Sequence, residues 1–350
     1  MTGFDSIHFM QKTTAIFLGM IVSSLLAFYG IILLWPQNNP FDQVEITIPE
    51  GATLAGIVRD LGERQVVTNP RTFLMAVKTL GYENSIPAGT FTLTQARDNY
   101  TIIDQLVHGK PEQVKLTLLE GWNLKQALAA ISETFSIPYE RLHQLAYDAE
   151  FARQLGVPAP TLEGFLFPNT YYFLKGSSPE AILQELVRQY HQVMTDSLLA
   201  VAAERGMTEI EVVTLASIIE GEALYDAERP IISSVYHNRL KRGMRLQADP
   251  TIQYLLQDGP RRLLTRDLKI DSPYNTYLYR GLPPGPINNP GKSSLLAAIF
   301  PDTTDYLYFV ARGDGYHTFS RTQSEHNRAK RKFQQVRRKV WREQRKKARS

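Results

Sequence analysis

The sequence contains no cysteine. That one absence excludes a disulfide scaffold, a thiolate zinc site and a cysteine nucleophile. It leaves the compartment open, because an extracytoplasmic protein can do without disulfides. HExxH, GxGxxG, GxSxG and a Walker phosphate loop are absent too. The histidines, His237, His317 and His326 among them, show no metal-ligand spacing. Neither a metal nor a cofactor is expected. The body of the chain also lacks a basic stripe. The net charge is +4, yet Asn327–Ser350 holds twelve Lys/Arg and one acid, Glu343, a local +11 that leaves −7 elsewhere. A nucleic-acid partner would have to rest on that tail alone, and none is expected.

What is present is ample apolar material. Hydrophobic residues make up 43% and charged residues 21% of 350 residues, enough for about two domains with a sizeable core. Thr13–Trp35 runs 23 residues without a charge. At about 1.5 Å per residue that helix reaches roughly 35 Å, enough to cross a bilayer. It is longer than a signal-peptide core and ends in Leu33, Leu34 and Trp35 with no small-residue cleavage site, so an uncleaved anchor is expected. Lys12 precedes it, while the following PQNNPFDQVE has no Lys or Arg. The asymmetry places the N-terminus inside and the body outside.

Pro36–Pro40 reads as a polar linker. A small α/β unit follows, with strands near 44–48, 90–93 and 114–119 and helices near 54–61, 70–81 and 101–108. Beyond it the chain is mostly helical. Pro179–Glu204 reads as one long helix and Thr208–Leu224 as another, opened by the capping box Thr208-x-x-Glu211. Asp249-Pro250 reads as a cap followed by proline at the first helical position. Tyr306–Ala311 and Tyr316–Phe319 alternate about Gly313-Asp314-Gly315, a hairpin signal. Thr322-x-x-Glu325 is a second capping box, opening a helix into the basic tail.

The chemistry concentrates at the end of the Thr208–Leu224 helix. Val212–Ile219 is apolar almost all round, as in a buried helix, and then meets Glu220-Gly221-Glu222. Two positions turn a helix by about 200°, so the glutamates point to opposite sides. Glu220 continues the stripe of Val213 and Ser217, where lost hydration raises a carboxyl pKa toward that of a general acid. Helix-end carboxylates in ion pairs with Arg229 or Arg239 fit the same residues. Tyr236–Leu240 and Arg245–Pro250 are dense in amide and guanidinium donors suited to sugar hydroxyls and N-acetyl carbonyls, and equally to a solvated surface. Arg280–Gly291, RGLPPGPINNPG, fixes an extended path of a kind that lines sites or simply connects. The aromatic loop Glu163–Tyr171 carries one acid.

These segments, LEGWNL (119–124), EGFLFPNTYYF (163–173), LASIIEGEA (215–223), ERPIISSVYHNRLKRGMRLQADPTIQY (228–254), SPYNTYLYRGLPPGPINNPG (272–291) and YFVARGDGYHTFS (308–320), resemble in order and spacing those of the YceG-like endolytic murein transglycosylases. The resemblance covers roughly residues 40–325. It implies an α+β chain: a cytoplasmic N-terminus (1–12), a transmembrane anchor (13–35), a small LysM-like α/β subdomain (40–115), a larger, mostly helical catalytic domain with a β-hairpin (116–325) and a basic tail (326–350). It implies a lyase of the bacterial inner membrane, single-pass, with its catalytic domain outside. The enzyme would cut the β-1,4 bond between N-acetylmuramic acid and N-acetylglucosamine within peptidoglycan strands, leave a 1,6-anhydro end and terminate strand growth beside the synthesis machinery. It assigns the catalytic acid to Glu220. Glu163, Glu222, Asn238, Arg239, Gln247, Asp249, Tyr274 and Asn275 are the residues expected to hold the glycan. Two positions depart from the family pattern: Gly221 where lysine is usual, and Asn169 where aspartate is usual. A muramidase with Glu220 as acid and Asp249 as base, and a glycan-binding scaffold without catalysis, are the competing readings. The tail has Phe333, Val336, Val340 and Trp341 at near-helical spacing among its cations, as in a helix lying on anionic headgroups or in a solvated extension.

Overall fold

The computed structural model describes residues 4–37, 42–256, 259 and 261–347. The chain divides into two units: residues 1–114 with 172–177, and residues 115–171 with 178–350.

The first unit opens with α1 (Phe4–Leu33), whose segment Thr13–Leu33 has a mean hydropathy of 2.4 and is long and apolar enough to cross a membrane. β1 (Gln43–Ile48) pairs antiparallel with β2 (Gly89–Thr94), Ile46 opposite Phe91. Between them lie α2 (Leu54–Glu63) and α3 (Pro70–Thr79), and α4 (Asn99–Val107) follows. Strand alternation buries Ile46, Ile48, Phe91 and Leu93. Leu61, Phe73, Val77, Ile102 and Leu106 of the helices complete the same core. Each helix starts where a side chain accepts free backbone N–H groups: Thr53, Asn69 before Pro70, and Asp98.

The expected linker begins as a fastening. Ile32 of α1 is buried in the first unit's core. Its carbonyl accepts from Asn99 Nδ2 (2.7 Å), Asn99 Oδ1 accepts from Gln37 Nε2 (2.6 Å), and Gln37 Oε1 accepts from Thr68 N (2.6 Å). The rest of that linker, residues 38–40, lies outside the described residues.

β3 (Gln113–Thr117) pairs with β4 (Thr170–Leu174), and the division between units falls within both strands. The second unit contains α5 (Leu124–Phe135), α6 (Tyr139–Ala146), α7 (Ala149–Gln154), α8 (Pro179–Val193), α9 (Asp196–Glu204), α10 (Glu209–Glu222), α11 (Arg229–Lys241), α12 (Asp249–Leu255) and α13 (Lys292–Ile299). The hairpin β5 (Tyr308–Ala311)–β6 (His317–Ser320) and α14 (Gln323–Lys347) end it. α10 is central: every residue from Val212 to Ile219 is buried, with α9, α11, α12 and α13 packed around it. The Thr208–Glu211 capping box forms at its start. Thr322 and Glu325 make the corresponding bonds before α14.

Two expected helix features differ. Residues 179–204 form two helices, because Thr195 is extended at the start of α9 and buried Met194 ends α8. Asp249 does not cap α12; Ala248 holds the cap position, and Asp249 Oδ1 accepts instead from Tyr277 Oη (2.5 Å). Side chains of the tail from Val336 onward, with Val340 and Trp341, are outside the described residues.

Candidate active site

The last turn of α10 is where separate stretches of the second unit are tied together. Ser217 donates its hydroxyl to Thr214 O (2.7 Å), its Oγ accepts from Ile287 N (3.1 Å), and its carbonyl accepts from Asn288 Nδ2 (2.9 Å). The proline-rich loop is thereby fixed to the helix. Asn289 carries the fixing outward. Its Oδ1 accepts from Leu166 N (3.0 Å), its Nδ2 donates to Trp122 O (2.9 Å), and its own carbonyl accepts from Gly121 N (3.0 Å). The stretches around residues 121, 166 and 289 therefore meet at one asparagine.

Glu220 lies in this junction. Its Oε1 pairs with Arg229 Nη1 at 3.0 Å, both side chains about 6% exposed, and its Oε2 accepts from Gly291 N at 2.9 Å. Arg229 also pairs with Asp226 (2.8 Å) and donates to Ser294 Oγ. The Glu120 carboxyl lies against Gly291, where any Cβ would collide with it. Burial, then the charge of Glu220, raises the pKa of Glu120.

Glu222 leaves the same turn toward a cavity of about 700 Å³. Its Oε1 accepts from Tyr236 Oη at 2.9 Å. Burial pushes the Glu222 carboxyl up to about 7; the Tyr236 hydrogen bond opposes this, and the charge of Asp249 adds to it. Glu163 and Asp249 line the same cavity. Glu163 Oε1 accepts from Leu124 N (2.8 Å) at the start of α5, and burial pushes its carboxyl up to about 8. Gly221 lies between the two glutamates because α12 docks there: a Cβ at 221 would stand 2.6 Å from Pro250 Cβ.

Of the residues expected to hold a glycan, Glu163, Glu222 and Asp249 are brought to one cavity. Others are engaged elsewhere. Asn238 Nδ2 donates to Thr304 O (2.7 Å) and Tyr306 O (3.0 Å). Arg239, 7% exposed, donates to Leu307 O and Leu246 O. Asn275, fully buried, donates to Ile270 O (2.7 Å) and Leu268 O (3.2 Å). These three hold loops in place. Gln247 is exposed, in a left-handed conformation (φ 50°). The Tyr274 ring stands 5.1 Å from that of Tyr254, a cavity residue. Asn169 is exposed, and its Oδ1 accepts from Thr170 N (2.8 Å). Sequence reasoning missed Tyr236 and Asn288. Tyr236 lay in a stretch marked for its donors, but its role was not read because its partner is fourteen residues away in the chain. Asn288 lay within a loop read as lining a site or simply connecting. Among the described residues, no group of three His, Asp or Glu stands close enough to hold a metal ion.

With this geometry, two carboxyls, Glu222 and Glu163, stand at one cavity wall with their pKa values raised to about 7 and about 8, each beside a tyrosine hydroxyl, and the one at about 7 is suited to give and take a proton around pH 7. The sequence matches the YceG-like family over residues 46–332. It is 36% identical over 324 residues to a Bacillus subtilis protein named endolytic murein transglycosylase, covering 87% of this chain and 89% of that protein. A Streptococcus pneumoniae protein of the same name is 27% identical over 322 residues, which is 83% of this chain and 58% of that longer protein. A 2.6 Å crystal structure of a putative yceG-like protein from Listeria monocytogenes superposes with a TM-score of 0.57 at 34% identity, covering 82% of this chain and 98% of the other. The chain belongs to the YceG-like family.

Proposed function

We propose that this protein is an endolytic murein transglycosylase, a lyase that cleaves the β-1,4 bond between N-acetylmuramic acid and N-acetylglucosamine within peptidoglycan strands. The observation that carries the site assignment is Glu222: a carboxyl on the cavity wall, hydrogen-bonded by Tyr236 and held up to about 7. In this reading Glu222, not the Glu220 of the sequence expectation, is the catalytic group. Glu220 is paired with buried Arg229 and the Gly291 amide, and it is not among the residues that line the cavity.

Protonated Glu222 donates to the glycosidic oxygen as the C1–O bond breaks. The resulting carboxylate takes the proton from the C6 hydroxyl of the muramic ring, whose oxygen closes onto C1 to give the 1,6-anhydro end. The nucleophile belongs to the substrate, so no second carboxylate is needed to position water. A cavity of about 700 Å³ is of a size to take part of a strand.

The same reading makes α1 a single-pass anchor, with the body outside the membrane beside the machinery that synthesises new strands. Its length, hydropathy and flanking charges support this. The β1–α2–α3–β2 order, two helices between two paired strands, supports a LysM-like subdomain.

The test is a digest of purified peptidoglycan by the full chain in detergent, read by mass spectrometry, with Glu222→Gln and Glu220→Gln in parallel. Anhydro-muramic ends from wild type and from folded Glu220→Gln, but not from Glu222→Gln, are expected. Products that survive Glu222→Gln and vanish in folded Glu220→Gln would return the acid to Glu220. Reducing ends would make the enzyme a hydrolase. Bound but uncut glycan would make it a scaffold.

A further inference from the structure

The cavity has two chemically distinct centres. Around Glu222, burial raises the carboxyl pKa, the Tyr236 hydrogen bond lowers it, and the charges of Asp249 and then Arg239 act on it. Around Glu163 the partners are others. Burial raises its pKa, Leu124 N and the Tyr254 hydroxyl bond to it, and the charge of Lys125 acts on it. Burial first, and the charge of Glu163 next, raises the hydroxyl pKa of Tyr147, Tyr254 and Tyr274. Three tyrosines and one lysine thus gather about a carboxyl that the proposed cleavage does not use.

Two members of this second centre are open to a ligand. Tyr147, which closes α6, lines the cavity and is 39% exposed. His143 backs its ring, with centroids 4.2 Å apart and planes at 17°. A ring stacked on one side and exposed beside a cavity is a flat wall of the kind that packs on the C–H face of a pyranose. Lys125, in the first turn of α5, is exposed and is the one cation among the described residues that line the cavity. Below about pH 8 Glu163 is mostly protonated and leaves the ammonium charge of Lys125 for a ligand. Asp249 and Glu222, the other carboxyls on the cavity wall, belong to the first centre, where the charge of Asp249 acts on Glu222. A flat exposed ring beside an ammonium suits a sugar that carries a carboxylate. In a strand of alternating N-acetylglucosamine and N-acetylmuramic acid, only the muramic unit has one, on its lactyl group or, where a peptide is attached there, on that peptide.

We propose that Tyr147 and Lys125 form a glycan subsite distinct from the cleavage centre, in which a muramic ring packs on Tyr147 and its carboxylate, from the lactyl group or the attached peptide, pairs with Lys125. The proposal rests on the transglycosylase reading for its substrate, but binding here is separable from cleavage. An enzyme that cuts within a strand meets sugars on both sides of the scissile bond, and this subsite holds one that is not cut. Its contacts are the same in ground and transition states, so they act on KM rather than kcat.

The experiment measures binding first. A glutamine variant of Glu222 or Glu220 that does not cut is prepared as the full chain in detergent. It is titrated by calorimetry with peptide-free strands, whose lactyl carboxylates are free, with peptide-bearing strands, and with a β-1,4 N-acetylglucosamine oligomer, which has no carboxylate. Strands with a carboxylate at the subsite are expected to bind about fivefold tighter than the oligomer, the scale of an exposed ion pair. Lys125→Gln should abolish that preference and leave the oligomer unchanged. Tyr147→Ala should weaken all three ligands about tenfold, and Tyr147→Phe, which keeps the ring, should restore them. A preference for peptide-free strands assigns the carboxylate to the lactyl group; one for peptide-bearing strands assigns it to the peptide. The absence of any preference, a Lys125→Gln loss that is equal on the oligomer, or a Tyr147→Ala protein that binds as tightly as its parent overturns the proposal. Lys125 and Tyr147 are both exposed, so their variants are expected to fold, which cooperative unfolding checks. With Glu220 and Glu222 intact, the same substitutions should raise KM for cleavage; a fall in kcat at unchanged KM overturns the subsite. The expected binding pattern in a protein whose wild type makes no anhydro product would keep the subsite and end the lyase reading.

Discussion

Glu220 and Glu222 leave the same turn of α10 for opposite environments: Glu220 pairs with Arg229 at 3.0 Å, and Glu222 accepts from Tyr236 at 2.9 Å beside the cavity. Glutamine at the two positions should therefore fail in different ways. Glu222→Gln is expected to fold normally and to lose about 10²–10⁴-fold in kcat, the scale of a lost general acid. Glu220→Gln removes the buried ion pair of Arg229 and leaves it paired with exposed Asp226. It is expected to cost about 3 kcal/mol in urea unfolding. Equal stability of the two variants would contradict this division.

With Glu222 as the proposed acid, the pH dependence of activity should follow its carboxyl. Its carboxyl is held up to about 7, and the donating form is the protonated one. kcat/KM should fall above about pH 7, and Tyr236→Phe, which removes a hydrogen bond to the carboxylate, should move that limb upward. A limb that stays where it is in Tyr236→Phe would mean another group sets it.

Stability should decline over a neighbouring pH range for a related reason. Glu163 has an ordinary value of 4.5 and is held up to about 8 in the fold. Between those values the folded protein binds a proton that the unfolded chain has released. Stability is therefore greatest below about 4.5 on this account and falls as pH rises through about 8. Glu163→Gln should flatten the decline between about pH 5 and 8, where a single bound proton makes stability fall by about 1.4 kcal/mol per pH step. An unchanged slope would show that Glu163 is charged in the fold.

Gly221→Ala sets a local gain against a distant loss. Alanine improves a helix by up to about 1 kcal/mol over glycine. Its Cβ would meet Pro250 Cβ at 2.6 Å, and overpacking of that kind costs about 1–3 kcal/mol. Net stability should change little. α12, however, has to move, carrying Asp249 and Gln253 on the cavity wall with it. Activity should fall on the order of tenfold to a hundredfold, the effect of a displacement near 1 Å. Loss of stability without loss of activity would locate the strain elsewhere.

What could be read from the chain was mostly local. The capping boxes of α10 and α14 and the hairpin about Gly313–Gly315 follow from residues a few positions apart, and all form. Helical arithmetic also separates Glu220 from Glu222 correctly. It cannot say which of the two meets a cavity, because that depends on where α12 and the loop at 287–291 dock. The same limit applies to Asn238, Arg239 and Asn275. Their chemistry suits a sugar, but their partners are backbone carbonyls, up to 68 residues away in the case of Arg239.

The fastening of α1 to the first unit has a mechanical consequence. Ile32, Asn99, Gln37 and Thr68 form a continuous chain of burial and hydrogen bonds from the apolar helix into that unit. A tether would let the unit sweep a hemisphere; this joint has no slack. If α1 anchors the chain as proposed, this joint would hold the first unit at a near-constant height and tilt above the bilayer, leaving rotation about the helix and lateral diffusion as its main freedoms. On that reading the unit would move as a rigid body in a thin layer next to the membrane.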